Sequence, residues 1–160
     1  VKQDVSCAPV VIPNPCEGES DGTFCGTDGI CVSETCRENL VQEGGFGADY
    51  YKYWSFTPPC AYGGGYAYCS IVVGNGEIKQ NIGAVAGHKY RLNYEIKSVS
   101  GSASVIAQIG DKTGNTQIII GIKSEDLTAI TDGELKFKVS IPVSISALGI
   151  DNVKVYDITP

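Results

Sequence analysis

Tyr62, Tyr66 and Tyr68 stand in a loop bounded by Cys60 and Cys69, around the run Gly63-Gly64-Gly65. Tyrosine rings offer flat apolar faces, and their hydroxyls hydrogen-bond at the edge. A glycine run lets a ligand come close to the backbone. Together they suit a ligand with an apolar face and a hydroxylated rim, the shape of a sugar ring. The loop is part of a dense stretch, residues 46–69, with six of the nine tyrosines, the only tryptophan and two of the four phenylalanines. Tyr53 is a further candidate within it. The competing reading has these tyrosines packing the N-terminal segment onto the rest of the chain. Trp54, Phe46 and Phe56 are expected in the core. A second candidate surface is polar: Arg91 and Asn93, with Glu95, on the solvent side of an alternating strand.

Catalytic patterns carry little here. The chain has no H-E-x-x-H and no glycine-rich phosphate loop opening a helix, and its one G-x-S-x-G match, Gly18-Glu19-Ser20-Asp21-Gly22, lies in the cysteine-rich turn segment rather than at a strand-to-helix elbow. The one histidine, His88, lies in a turn with no recognisable nucleophile beside it. The chain is read as a non-enzyme.

The elements that must position these residues are strands. Residues 88–97 alternate Tyr90, Leu92, Tyr94 and Ile96 against Lys89, Arg91, Asn93, Glu95 and Lys97, so one face is core and one is wet. Residues 104–109 alternate Val105, Ala107 and Ile109, and residues 134–143 alternate Leu135, Phe137, Val139 and Ile141. Residues 78–82 put Ile78, Gln80 and Ile82 on one face. Leu40 and Val41 are expected to start a strand. A strand over 70–73 and a turn at Gly74-Asn75-Gly76 predict a hairpin. Residues 111–115 read as a tight turn, residues 117–123 as a central strand, and residues 124–132 as the one place for a helical turn, capped by Ser124. The closing strand, residues 147–158, changes apolar parity between Ile150 and Val153, which predicts a bulge at Asp151-Asn152. Short strands at regular spacing predict an all-β antiparallel β-sandwich of jelly-roll type.

Residues 1–38 differ in character. They hold seven acidic residues against Lys2 and Arg37, and five of the seven cysteines. Their prolines, Asp-Gly turns and a small hairpin near Ile30 predict a disulfide-stapled N-terminal extension, with the sandwich over 39–160. The cysteines are Cys7, Cys16, Cys25, Cys31, Cys36, Cys60 and Cys69. Zinc is disfavoured, since no C-x2-C pair occurs. An odd number leaves one cysteine free, paired between chains in a disulfide-linked dimer, or parted from its partner by processing. Either one N-terminal cysteine is left over, or Cys60 or Cys69 reaches back; a local Cys60–Cys69 bridge is the favoured arrangement. Cysteine density points to an oxidising, extracellular compartment. The opening Val1-Lys2-Gln3-Asp4 reads as a processed N-terminus. Net charge of −6 argues against nucleic acid, and no apolar run approaches the ~18 residues of a membrane helix.

NLVQEGGF at 39–46, IKQNIGAVAGHKYRLNYEIK at 78–97 and IDNVKVYDI at 150–158 together resemble the jelly-roll carbohydrate-binding modules of families 4, 9 and 22, within the galactose-binding-domain-like sandwiches. The resemblance covers residues 39–158. It implies glycan binding on a sheet face or on end loops, and a Trp54 packed in the core. It also implies a structural calcium between the opening segment and the closing Asp151, with Glu43 or Asp49 as further ligands. The acid that the family places after Phe46 is replaced by Gly47. The expected function is a secreted, non-catalytic glycan-binding protein of lectin or adhesin type, with a polysaccharide or glycoprotein glycan as partner. A fungal cell surface is the expected setting. The alternatives are an extracellular structural or interaction protein of a wall or matrix, or an effector, and a protease inhibitor built on the N-terminal knot.

Overall fold

A computed structural model describes residues 13–70 and 72–160. The chain runs through β1 (Phe24–Cys25), β2 (Gly29–Val32), β3 (Thr35–Arg37), a 3-10 turn (Tyr50–Lys52), β4 (Ser55–Thr57), β5 (Cys60–Gly63), β6 (Tyr66–Ser70) and β7 (Gly74–Ala84). It continues through β8 (Lys89–Ser100), β9 (Ser104–Ile109), β10 (Lys112–Gln117), β11 (Gly121–Thr128), β12 (Gly133–Ile141) and β13 (Ala147–Asp157). Two five-stranded antiparallel sheets, in the orders β10-β9-β12-β7-β4 and β11-β8-β13-β6-β5, form the sandwich. A small sheet, β1-β2-β3, stands apart from both.

The core is built from the alternations in the sequence. Tyr90, Leu92, Tyr94 and Ile96 of β8 face Leu135, Phe137, Val139 and Ile141 of β12 and Val105, Ala107 and Ile109 of β9, all buried. Tyr94 and Phe137 meet edge to face across the sandwich, ring centroids 5.0 Å apart. On β13, Leu148 and Ile150 point inward, and so do Val153 and Val155. The change of parity is absorbed by a register shift between Asp151 and Lys154, with Asn152 at φ +52°.

Five expectations are corrected. Residues 40–41 are not a strand. Asn39 Oδ1 accepts from Val41 N and Val155 N, and Gln80 exchanges two bonds with the Gln42 backbone, at 2.8 and 2.7 Å. Side-chain amides replace a strand ladder there. Residues 70–76 are not a hairpin, because β6 and β7 lie in different sheets. Gly76 is a close-approach glycine: a Cβ there would sit 2.6 Å from Cys60 Sγ and 2.8 Å from Thr57 O. Residues 117–123 are not a central strand. Ile118, Ile119 and Ile120 are exposed, where the chain crosses from β10, an edge of one sheet, to β11, an edge of the other. Residues 124–128 continue β11 rather than a helical turn, since Glu125 and Leu127 alternate inward and the strand pairs with β8. The turn expected over 111–115 is tighter: Gly110 and Asp111, both at positive φ, join β9 to β10.

Among the described residues there are three disulfides: Cys16–Cys31, Cys25–Cys36 and Cys60–Cys69. The last joins directly opposed residues of the β5–β6 hairpin. Cys7 lies outside the described residues. The small sheet docks on β13. Ile30 and Val32 bury against Tyr156, with Ile158 beside them. Lys154 pairs with Asp28, Asn39 Nδ2 donates to Asp28 at 2.8 Å, and Arg37 Nη2 donates to the Thr159 carbonyl at 3.0 Å.

Candidate functional site

The outward face of sheet β11-β8-β13 is a grid fixed by strand register. Asp126, Arg91 and Tyr156 form one row, Ser124, Asn93 and Lys154 the next, and Ile122, Glu95 and Asp151 the third. The small disulfide-bonded sheet stands over the β13 side of this grid. Between them lies a cleft of about 690 Å³, lined by Phe24 and Ile30 of the small sheet and by Arg91, Asn93, Glu95, Ser124 and Ile122 of the grid. Its size falls in the range of small-ligand sites, roughly 300–1,000 Å³.

The floor is polar and mostly self-paired. Arg91 forms a two-pronged pair with Asp126, Nε and Nη2 donating at 2.9 and 3.0 Å. That pair holds the Asp126 carboxyl below the usual aspartate range, against the opposing effect of burial, and raises the Arg91 pKa. Asn152 Nδ2 donates to Glu95 at 2.7 Å, and Lys97 lies 3.6 Å from the same carboxylate. Burial would raise the Asp28 carboxyl, but bonds from Lys154 and Asn39 outweigh it and hold it low. Among the described residues, neither Asn93 nor Ser124 makes a side-chain hydrogen bond, and the two are direct cross-strand partners.

The sequence candidates separate in space. Arg91 and Asn93 lie on the cleft floor. Tyr66 and Tyr68 project from β6 on the same outward face, opposite in parity to buried Ala67 and Cys69. They sit outside the cleft. Tyr66 lies over Gly149, where a Cβ would come within 2.7 Å of its ring. Tyr68 pairs in register with Gly149 and is 36% exposed. Tyr62 shares the parity of buried Cys60; it stacks on Tyr50 with ring centroids 3.8 Å apart and packs against the core. Tyr53 follows the 3-10 turn and is exposed. Phe46 and Trp54 are core, and Trp54 Nε1 donates to the Gln42 and Glu43 carbonyls.

Phe24 and Ile122 were missed. Phe24 sits in a segment with no hydrophobic period, and Ile122 in a run that looks like a buried strand. The only signal for Phe24 is that it is a lone aromatic in an otherwise polar, cysteine-rich segment. A second groove, about 530 Å³, crosses the outward face of the other sheet between Thr57, Glu77, Lys138 and Ile106, and has no aromatic lining residue.

Asp151, Glu43 and Asp49, the residues expected to hold calcium, do not bring three carboxylates within 4.8 Å of one another. Asp49 pairs with Lys52 at 2.8 Å, and Asp151 Oδ1 accepts from the Asn152 amide inside its own bulge. Among the described residues, the one trio of such ligand atoms within 4.8 Å of one another is the sulfurs of Cys16, Cys25 and Cys36, which belong to disulfides.

No protein-family model matches the chain, and no curated protein matches it in sequence. Solved structures do match in fold. A family 4 carbohydrate-binding module aligns with a TM-score of 0.50 and 14% identity, over 73% of this chain and 99% of that one. A family 61 module, solved in complex with β-1,4-galactotriose, aligns with a TM-score of 0.49 and 16% identity, over 75% and 99%. A family 22 xylan-binding domain from Paenibacillus barcinonensis aligns with a TM-score of 0.47 and 10% identity, over 85% and 99%. The fold conclusion rests on the first of these, together with the strand orders above: the chain has the jelly-roll β-sandwich fold of carbohydrate-binding modules.

Proposed function

We propose that this protein is a non-catalytic, extracellular glycan-binding protein that holds a polysaccharide on the outward face of sheet β11-β8-β13-β6-β5. The observation that carries this reading is the cleft over Arg91, Asn93, Glu95 and Ser124. It offers apolar walls and a hydrogen-bonding floor on a module fold. Tyr66 and Tyr68 extend the same face toward β6 and give a longer chain further contacts. Three disulfides favour an oxidising, extracellular setting. The paired carboxylates support a non-catalytic role. Asp126 is held ionised by Arg91, so it is a poor proton donor at neutral pH.

Electrophoresis through gels carrying soluble polysaccharides tests this. The native chain is expected to be retarded by at least one of xyloglucan, β-glucan, galactomannan, galactan and arabinoxylan. Asn93→Ala should weaken retardation by about fivefold or more, the worth of a lost hydrogen bond. Lys138→Ala, on the opposite sheet, should leave it unchanged. Equal losses in both variants, or none in Asn93→Ala, would move the site off this face.

A further inference from the structure

We propose that the N-terminal disulfide-bonded unit is a wall of the binding site, with Phe24 stacking on an uncharged sugar ring whose hydroxyls reach Asn93 and Ser124. This rests on the glycan reading above and names both a contact residue and the ligand class.

Phe24 stands out among the phenylalanines. It is 77% exposed, whereas Phe46 and Phe137 are fully buried and Phe56 is packed against the core. An exposed aromatic often sits on a mobile loop, but the backbone that carries this one is held. Its neighbour Cys25 is bonded to Cys36, and its own backbone pairs with Ile30. Thr23 O accepts from Cys31 N at 2.7 Å, and Cys31 is bonded to Cys16. The whole unit is fastened to the sandwich through Ile30, Val32 and Tyr156 and through the Lys154–Asp28 pair. An aromatic ring carried on a backbone that is already fixed loses less entropy on meeting a ligand than one on a mobile loop. It lines the same cleft as Ile122, itself 82% exposed.

Charge balance selects the ligand. Arg91 is matched by Asp126, Lys154 by Asp28, and Glu95 by Asn152 and Lys97. A carboxylated or sulfated sugar would meet each cation with a carboxylate already beside it, whose like charge opposes it. The Asn93 amide and the Ser124 hydroxyl make no hydrogen bond within the described chain; both are neutral and can donate and accept. They match the hydroxyl rim of a neutral pyranose, while Phe24 matches its C–H face.

The experiment compares the native chain, Phe24→Ala and Phe24→Tyr in gels carrying the five neutral polysaccharides above or an acidic one, polygalacturonate. Phe24 is exposed, so both variants should keep the native unfolding midpoint. Retardation by a neutral polysaccharide, weakened about tenfold in Phe24→Ala and kept in Phe24→Tyr, is the expected result. Native retardation with an unaffected Phe24→Ala overturns the wall while leaving the glycan reading standing. Retardation by polygalacturonate alone overturns the ligand class. No retardation of folded native chain by any of the six overturns this inference and the glycan reading together.

Discussion

Glu125 shows how much one side chain can organise. It is buried on β11, accepts from Tyr94 Oη at 3.0 Å, and accepts from the Asn115 amide at 2.7 Å. One carboxylate thus ties β8 and β11 of one sheet to β10 of the other. Burial, and then the adjacent Glu125 charge, push the Tyr94 hydroxyl pKa far up, so it stays a donor. Glu125→Leu would strand the Asn115 N–H and the Tyr94 O–H together. It is expected to cost about 2–4 kcal/mol, against about 1 kcal/mol for Tyr94→Phe, which leaves the Asn115 bond intact. Urea unfolding midpoints measure both, and equal costs would contradict the shared role. Nothing in the pattern Ser-Glu-Asp at 124–126 signals this. The same letters read as a helix cap until β8 is placed beside them.

At the scale of the element, the alternating strands were legible and the edges were not. Parity alone put Tyr90, Leu92, Tyr94 and Ile96 inside, because a half-buried strand has a period of two residues. The run at 117–123 misled for a physical reason. Apolar β-branched residues score as a buried strand whether they face a core or cross between sheets. Ile119→Asn is therefore expected to change stability by less than about 0.5 kcal/mol, as at an ordinary surface position. Phe137→Ala, at the centre of β12, should cost about 3–5 kcal/mol. Chemical denaturation compares the two directly, and a large loss for Ile119→Asn would place that run in the core. The candidate site divides in the same way. Arg91 and Asn93, on the wet side of a regular strand, face the cleft. Tyr62 was grouped with Tyr66 and Tyr68 by proximity in sequence, but the β5–β6 hairpin sends it to the other face of the sheet.

At the scale of the molecule, three aspartates with lowered pKa values set the acid response. Asp126 is held down by Arg91. At Asp28 and Asp157 burial acts upward, and bonds from Lys154 and Asn39 and from Thr159 and His88 respectively outweigh it. The folded state binds these protons more weakly than the unfolded chain. Their contribution is thus complete above the ordinary aspartate pKa near 3.8 and is lost as pH falls through the lower folded values. Stability should drop below about pH 4, and Asp28→Asn should flatten part of that fall. Thermal unfolding followed from neutral to acid pH checks both. An unchanged acid limb in Asp28→Asn would show that the Lys154 pair does not help hold the N-terminal unit in place.

The amino-acid order by itself determined what is local. Alternation set which side chains of β7, β8, β9, β12 and β13 face inward, and the parity change at Asp151-Asn152 set the bulge. Register between distant strands is not local. It depends on which edges meet, on side-chain amides such as Gln80 closing a loop, and on where a disulfide-bonded unit comes to rest. The pairing of Ser124 with Asn93 and of Arg91 with Asp126, and the arrival of Phe24 over that floor, join residues from three separate parts of the chain. Only packing of the whole molecule decides such meetings, because the free energy that selects them is shared among contacts no single segment contains.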